Sequence, residues 1–219
     1  MPTRFMYDNL KTIIEEFSKK LSICGFGFVF KGNLSDGTKV AVKRLDGFGQ
    51  VKKSFLAKVE TIGNIHHMKL VRLVGFCAEK SHRLLIYEYM SNGSLDRWIF
   101  HKSNECVLDW QQGKKIILVI AKGLNYPHEE CRQKIVHLDI KPQNILLDGN
   151  FNAKVADFGL SKLIDMDQSQ VVTIMRGTPS YLAPKWLSVA IIEKVVVYSF
   201  GVVILEIVCE RKIFDHSLD

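Results

Sequence analysis

Apolar residues at positions 5, 10, 13, 14, 17 and 21 recur at near-helical spacing, which predicts a short amphipathic helix over residues 5–21 leading into a first strand. From there to about residue 90 the rhythm is that of strands. Short apolar segments at 28–31 and 38–44 flank Ser35, Asp36 and Gly37, an Asp-Gly turn signal that predicts a β-hairpin. One helix, at about 51–62, interrupts the sheet, and residues 70–77 and 83–89 read as a second strand pair. Ser91, Asn92, Gly93 and Ser94 then close the strand region with a polar turn and a candidate helix cap.

Beyond that turn the pattern becomes helical. Asp109 is placed to cap a helix carrying Ile116, Ile117, Ile120 and Leu124, and a second helix is predicted over about 193–210. The chain is therefore divided into a lead-in segment, 1–20, a strand-rich part, 21–90, and a mainly helical part, 91–219. It contains no internal repeat and no low-complexity tract.

With 219 residues, 47% of them hydrophobic, the chain can bury one substantial core or two small ones, and the 24% charged fraction argues against disorder. The net charge of +7 is carried in short pairs such as Lys52-Lys53 and Lys114-Lys115, a solvated basic surface rather than a nucleic-acid interface. Five scattered cysteines, at 24, 77, 106, 131 and 209, contain no CxxC pair, so neither a disulfide framework nor a zinc site is supported and a reducing compartment is expected. Arg4, Asp8, Lys11, Glu15 and Glu16 interrupt any secretory signal core. The longest apolar run, 195–205, includes Tyr198 and Ser199 and stops before Glu206, short of the ~20 residues that span a bilayer. It reads as a buried helix, with no membrane span in the chain.

The candidate chemistry lies between the two predicted helices. The run His137, Leu138, Asp139, Ile140, Lys141, Pro142, Gln143, Asn144 precedes Asp157, Phe158 and Gly159, placing a candidate proton acceptor and two metal-binding side chains on neighbouring loops. Phosphoryl transfer uses that equipment, because it needs positive charge on phosphates and metal-binding oxygens beside them.

Five elements occur in one order: Gly25-Phe26-Gly27-Phe28-Val29, Val40-Ala41-Val42-Lys43, the His137 to Asn144 run, Asp157-Phe158-Gly159, and Ala183-Pro184 after Gly177-Thr178-Pro179. Together they resemble the protein kinase signature set. Over nearly the whole chain, phrases such as LVRLVGFCAEKSHRLLIYEYMSNGSLD and DFGLSKLID resemble more closely the cytoplasmic serine/threonine kinase domain of plant receptor-like kinases of the lectin type. The resemblance implies an α+β, two-lobed fold: a small antiparallel sheet with one helix, then a mostly helical larger lobe truncated at its C-terminus. It implies ATP and Mg²⁺ as cofactors, with Asp139 as proton acceptor, Lys141 steadying the transferred group, Asn144 and Asp157 on Mg²⁺, and Lys43 on the α and β phosphates. Gly25, Gly27, Val29, Ala41, Glu88, Met90 and Leu146 would surround the nucleotide. A protein substrate or signalling partner and a cytoplasmic location are further implications, at the cytoplasmic face of the plasma membrane if the chain is part of a receptor. Thr178 fits the serine/threonine class.

The family pattern is broken at several positions. Its GxGxxG loop is represented by Ser22, Cys24 and Gly27, with Gly25 extra, so fewer glycines are available for close approach to phosphates. Lys58 stands where the family has the glutamate that pairs with Lys43; two like charges ~4 Å apart at an effective dielectric near 20 cost roughly 4 kcal/mol. Lys185 replaces a glutamate whose partner position is Arg211, and Val196 replaces an aspartate that holds the catalytic-loop backbone. Pro127 falls in the helix before the catalytic loop. Leu138 replaces an arginine, which reads as a subfamily trait and would deny that partner to a phosphate on Ser169 or Thr173. The chain ends at Asp219 soon after the 193–210 helix, so part of that helix's cover is expected to be absent. Three readings follow from the sequence: a working serine/threonine kinase with impaired activity, a pseudokinase or scaffold acting by contact, and a non-functional remnant.

Overall fold

The computed structural model describes residues 2–24, 27–45, 52–63, 67–100, 108–129, 134–157, 162–164, 177–183 and 192–213. The chain folds into two compact units, the first comprising Met1–His66 and Val71–Met90 and the second His67–Leu70 and Ser91–Asp219. Strands and helices are mixed, giving an α+β protein.

The first unit contains β1 (Thr3–Arg4), α1 (Tyr7–Ile13), a 3₁₀ turn at Glu15–Phe17, β2 (Lys20–Cys24), β3 (Gly27–Asn33), β4 (Lys39–Leu45), α2 (Lys52–Gly63), β5 (Leu73–Glu79) and β6 (His82–Glu88). Its six strands lie in the order β1-β5-β6-β4-β3-β2, antiparallel except for β1, which runs parallel to β5. The β3–β4 hairpin closes as its turn residues require: Gly37 takes φ +83°, and the Thr38 N–H donates to Asp36 Oδ1 at 2.8 Å.

Strand alternation sorts the sheet into two faces. Phe30 is registered opposite Val42, and Val42 opposite Ile86. These residues, with Val40, Cys77 and Leu84, form a core completed by Leu10 and Ile14, both fully buried. Val29 is registered opposite Lys43, and Ala41 is two residues away on the same face. The aromatic edge of the core is further held by Phe17, whose ring meets Phe30 edge-on at 4.9 Å.

The helix expected over 5–21 is corrected. Helix α1 ends at Ile13; Glu15, Glu16 and Phe17 take left-handed φ values of 47°, 56° and 66°, and Lys20–Cys24 is a strand paired with β3. Apolar spacing placed the right residues in the core, but tertiary strand pairing overrode the helical period after Ile13. The remaining predicted elements of this unit form with boundaries shifted by a few residues. In α2, Phe55, Val59 and Ile62 are buried at helical spacing.

The second unit contains β7 (Gly93–Ser94), α3 (Asp96–Ile99), α4 (Trp110–Glu129), β8 (Lys134–Val136), β9 (Ile145–Leu147), β10 (Ala153–Val155), β11 (Lys162–Ile164) and α5 (Ile192–Cys209). Strands β10, β9 and β7 form one small sheet, and β11 pairs with β8. These two- and three-residue strands are too short to register as a period in sequence.

Helix α4 begins with a reciprocal cap: the Gln112 N–H donates to Asp109 Oδ1 at 2.8 Å, while the Asp109 N–H donates to Gln112 Oε1 at 3.3 Å. Ile116, Ile120 and Leu124 are buried as the spacing requires. The helix continues past Pro127 to Glu129, so the proline falls near its C-terminal end and the turns before it keep their hydrogen bonds. Helix α5 buries Val195, Val196, Val202, Val203 and Ile207 but leaves Val197, Leu205 and Val208 at 62%, 51% and 52% exposure. The helix read as buried is therefore covered on one face and bare on another.

Candidate active site

Strand β8 leads directly into the candidate catalytic loop, and Pro142 then starts a single 3₁₀ turn, Pro142–Asn144, before β9. The β9–β10 hairpin returns the chain so that Ala156 and Asp157 lie beside that turn: the Ala156 N–H donates to the Asn144 carbonyl at 2.8 Å. A local turn and a tight hairpin thus bring residues 139, 141, 144 and 157 to one place.

Asp139 is buried, with 5% exposure, and its carboxylate is held from three directions. Thr178 Oγ1 donates to Oδ1 at 2.7 Å; Lys141 Nζ lies 2.8 Å from Oδ2; and Asn144 Nδ2 donates to Oδ2 at 2.9 Å and to the Asp139 carbonyl at 2.8 Å. Lys141 Nζ also donates to Thr178 Oγ1 at 2.8 Å. Burial pushes the Asp139 carboxyl up, but the bonds from Lys141, Thr178 and Asn144, together with the Lys141 charge, outweigh it. The net shift is downward, so the carboxylate stays ionised.

His137 supports this loop from beneath. Its Nδ1 accepts from the Asp139 N–H at 3.2 Å and its Nε2 lies 2.8 Å from the Ala156 carbonyl. An acceptor at one nitrogen and a donor at the other define the neutral Nε2–H tautomer. Burial disfavours the cation and lowers the His137 pKa despite the nearby Asp157 and Asp139 carboxylates. The ring therefore acts as a neutral strut joining the 137–139 loop to the segment that carries Asp157. Asp157 itself takes φ +61°, an uncommon conformation for a non-glycine residue that costs about 1–3 kcal/mol and is typical of sites where surrounding structure dictates geometry.

The segment supplying Thr178 is anchored by close packing. Gly177 has φ +129°, and a Cβ there would lie 2.6 Å from the Leu138 carbonyl. Tyr181, three residues beyond Thr178, donates its hydroxyl to the buried Glu206 carboxylate at 2.9 Å, and Ser199 Oγ donates to the Tyr181 carbonyl at 2.7 Å. Burial raises the pKa of both Tyr181 and Glu206, the Glu206 charge adding to the former.

The predicted nucleotide residues divide between the units. In the first, Val29, Ala41 and Lys43 share the sheet face described above, and Lys43 is buried at 6% exposure. Gly27 has φ +140°, a conformation that favours glycine. Glu88 ends β6, its N–H donating to the Arg72 carbonyl at 3.1 Å, and Met90 is buried. In the second unit, Leu146 is half-buried in β9. Gly25, Lys185, Ser169, Thr173 and the side chains of Cys24 and Lys58 lie outside the described residues. Val196 is buried at 4% exposure and Arg211 is exposed.

Among the described residues no group of three His, Cys, Asp or Glu side chains is placed to hold a metal by protein ligands alone. The donor set instead suits a phosphate-borne magnesium ion, which takes one or two protein oxygens and completes its shell from phosphates and water. Asn144 directs its amide hydrogens to Asp139, leaving its oxygen as the acceptor, and Asp157 supplies a carboxylate nearby.

The sequence alone gives no positioning role to Thr178, Gly177 or His137. Thr178 is 39 residues from Asp139, and only the Gly-Thr-Pro stretch hinted at it. His137 was visible beside Asp139, but its two-sided bridging has no sequence signature.

A family model described as the protein kinase domain matches residues 16–219. The chain is 57% identical over 219 residues to the G-type lectin S-receptor-like serine/threonine-protein kinase SD2-5 of Arabidopsis thaliana, covering 99% of this chain and 27% of that protein. Two further Arabidopsis thaliana proteins described as G-type lectin S-receptor-like serine/threonine-protein kinases are 52% and 50% identical, over 97% and 100% of this chain and 26% and 25% of their own lengths. The chain belongs to the protein kinase family. It spans about a quarter of the length of these relatives. Among the described residues, no helix is long and apolar enough to cross a membrane.

Proposed function

We propose that this chain is a serine/threonine kinase domain that transfers the γ-phosphate of ATP to hydroxyl groups of a protein. The observation that carries this reading is the buried Asp139 carboxylate, kept ionised and fixed in direction by Thr178, Lys141 and Asn144. Asp139 would accept the acceptor hydroxyl's proton, and Lys141 would place positive charge beside the transferred group. Asn144 and Asp157 would hold Mg²⁺, which neutralises phosphate charge when bound with the nucleotide. Lys43 would meet the α and β phosphates, with Gly25, Gly27, Val29, Ala41, Glu88, Met90 and Leu146 around the rest of ATP. If the chain is part of a receptor, as the names of its relatives suggest, this domain would act at the cytoplasmic face of the membrane.

A second reading, a kinase-shaped domain acting by contact, is favoured by one observation: the family's aspartate position on α5 holds Val196, a buried side chain with no polar atom to satisfy the catalytic-loop backbone. The two readings separate in one assay, Mg²⁺-dependent transfer of labelled phosphate from ATP to a serine/threonine peptide library. Incorporation that is abolished by Asp139→Asn supports the kinase. If neither the native chain nor the Lys58→Glu, Val196→Asp, Lys185→Glu variant labels the library, while both melt cooperatively, the contact reading stands.

A further inference from the structure

Helix α4 carries Gln111, Lys114, Lys115, Leu118, Val119 and Lys122 at intervals of three and four residues, a single stripe on one side of the helix. Lys69 joins that stripe from the segment before Leu70. The segment is fixed by the parallel bridge between Leu70 and Val155 and by the Val155 N–H donating to the Lys69 carbonyl at 2.9 Å. It can approach α4 because position 123 is glycine: a Cβ there would already lie 3.2 Å from Lys69 Cβ and 3.3 Å from its carbonyl oxygen. The result is an open cavity of about 370 Å³ with lysines around its rim and Leu118 and Val119 in its wall.

Two properties set this groove apart from an ordinary basic surface. Among the described residues, no carboxylate forms an ion pair with Lys69, Lys114, Lys115 or Lys122; Lys115 Nζ instead donates to the neutral Asn152 Oδ1 at 3.2 Å. Leu118 is 54% exposed at the centre of this cationic ring. Four ammonium groups held around one depression raise its potential and favour an anionic ligand, while the apolar wall favours a ligand with an aliphatic side chain between its charges.

We infer that this groove on α4 is a docking site for an acidic, leucine-bearing segment of a protein partner. The depression is concave and of side-chain size, whereas a membrane surface would require a flat or convex basic face. Among the described residues its lining contains no aromatic ring on which a nucleic-acid base could stack. The site lies wholly within the second unit and uses none of the residues assigned to phosphoryl transfer, so it stands whether or not the chain is catalytic.

The test is fluorescence anisotropy with the full 219-residue chain and a fluorescein-labelled peptide of glutamates containing two leucines. The comparisons are the same peptide with serines for leucines, and phosphatidylserine-containing vesicles. Saturable binding of the leucine peptide is expected, weakened about tenfold when three surface ion pairs are removed by Lys114→Gln, Lys115→Gln and Lys122→Gln together. That variant should also lose most of the salt dependence, while Leu118→Ser weakens binding and keeps it. The lysine positions on α4 are exposed and their replacement should leave the melting temperature unchanged. Should Leu118→Ser fail to fold, the serine-for-leucine peptide decides the apolar part. Equal binding by the lysine variant, equal binding of the leucine-free peptide, or lysine-dependent binding to vesicles without binding to the peptide would each overturn the proposal.

Discussion

Thr178 Oγ1 donates a 2.7 Å hydrogen bond to Oδ1 of Asp139, while the Lys141 ammonium reaches both Asp139 Oδ2 and Thr178 Oγ1 at 2.8 Å. A residue of the Gly177-Thr178-Pro179 segment thus helps to orient the candidate base, and the closed triangle leaves the carboxylate little freedom to turn.

Under the proposed function, Asp139→Asn should lower phosphate transfer by about 10²–10⁴-fold, the usual worth of a general base. Thr178→Val should lower it by roughly tenfold or more, since hydrogen bonds to charged groups contribute about 1.5–3 kcal/mol. It should also move the acid limb of the pH–rate profile upward, because one of the groups depressing the Asp139 pKa is gone. Thr178→Ser should restore both. A Thr178→Val profile with an unmoved acid limb would show that the bond does not tune the base.

Residues before the family match at position 16 are integral to the first unit. Leu10 and Ile14 are fully buried, β1 extends the sheet, and Gly75 leaves the space into which Phe5 and the Thr3 carbonyl fit, both 2.4 Å from where a Cβ would stand. Leu10→Ala should cost about 2–5 kcal/mol. Gly75→Ala should destabilise the full chain by about 1–3 kcal/mol through overpacking, yet be harmless or stabilising in a chain lacking residues 2–5. Thermal melts of the four combinations measure this coupling; additive effects would mean that the N-terminal segment does not dock there.

Gly177 combines φ +129° with a backbone neighbour that cannot yield, the Leu138 carbonyl 2.6 Å from a would-be Cβ. Gly177→Ala should therefore push the Thr178 segment away from the catalytic loop. The expected signature is a fall in kcat matching that of Thr178→Val, with most of the thermal stability retained; unaltered activity would place the strain elsewhere.

Asp139 and Glu206 make opposite contributions to stability as pH changes. The depressed pKa of Asp139 adds stability above its unfolded value near 3.8 that is lost as pH falls through the folded pKa. The raised pKa of Glu206 has the reverse sign: its contribution is favourable below the unfolded value near 4.5 and is lost as pH rises through the folded pKa. Glu206→Gln keeps an acceptor for the Tyr181 hydroxyl and removes the buried charge. It should raise the melting temperature at pH 7–8, by about 2–4 °C for each kcal/mol gained, and the advantage should shrink toward pH 4.5. A lower melting temperature at pH 8 would show that the ionised carboxylate is itself required.

Much of this protein was legible as sequence because the relevant signals are local. Asp36 and Gly37 specify a tight hairpin, Asp109 with Gln112 specifies the start of α4, and the order of the signature residues specifies the kinase family and offers residues 139, 141, 144 and 157 as candidates. Each depends on side chains a few residues apart, or on a pattern preserved whole.

Other features required the folded chain because they arise from residues that are distant in sequence. Apolar spacing put Leu10, Ile14 and Phe17 in one core but could not show that the helix stops at Ile13, since pairing of β2 with β3 decides that. Nothing local to Thr178 announces a bond to Asp139, nothing local to Gly123 announces that Lys69 lies against it, and Gly75 reads as an ordinary strand glycine until Phe5 fills its place. Local pattern alone was enough for the family, for most of the element types and for the candidate side chains at 139, 141, 144 and 157. Which distant groups orient the carboxylate, where charge gathers around α4 and which glycine admits the N-terminal segment emerge from the folded chain, because those outcomes depend on packing and strand pairing rather than on periodicity.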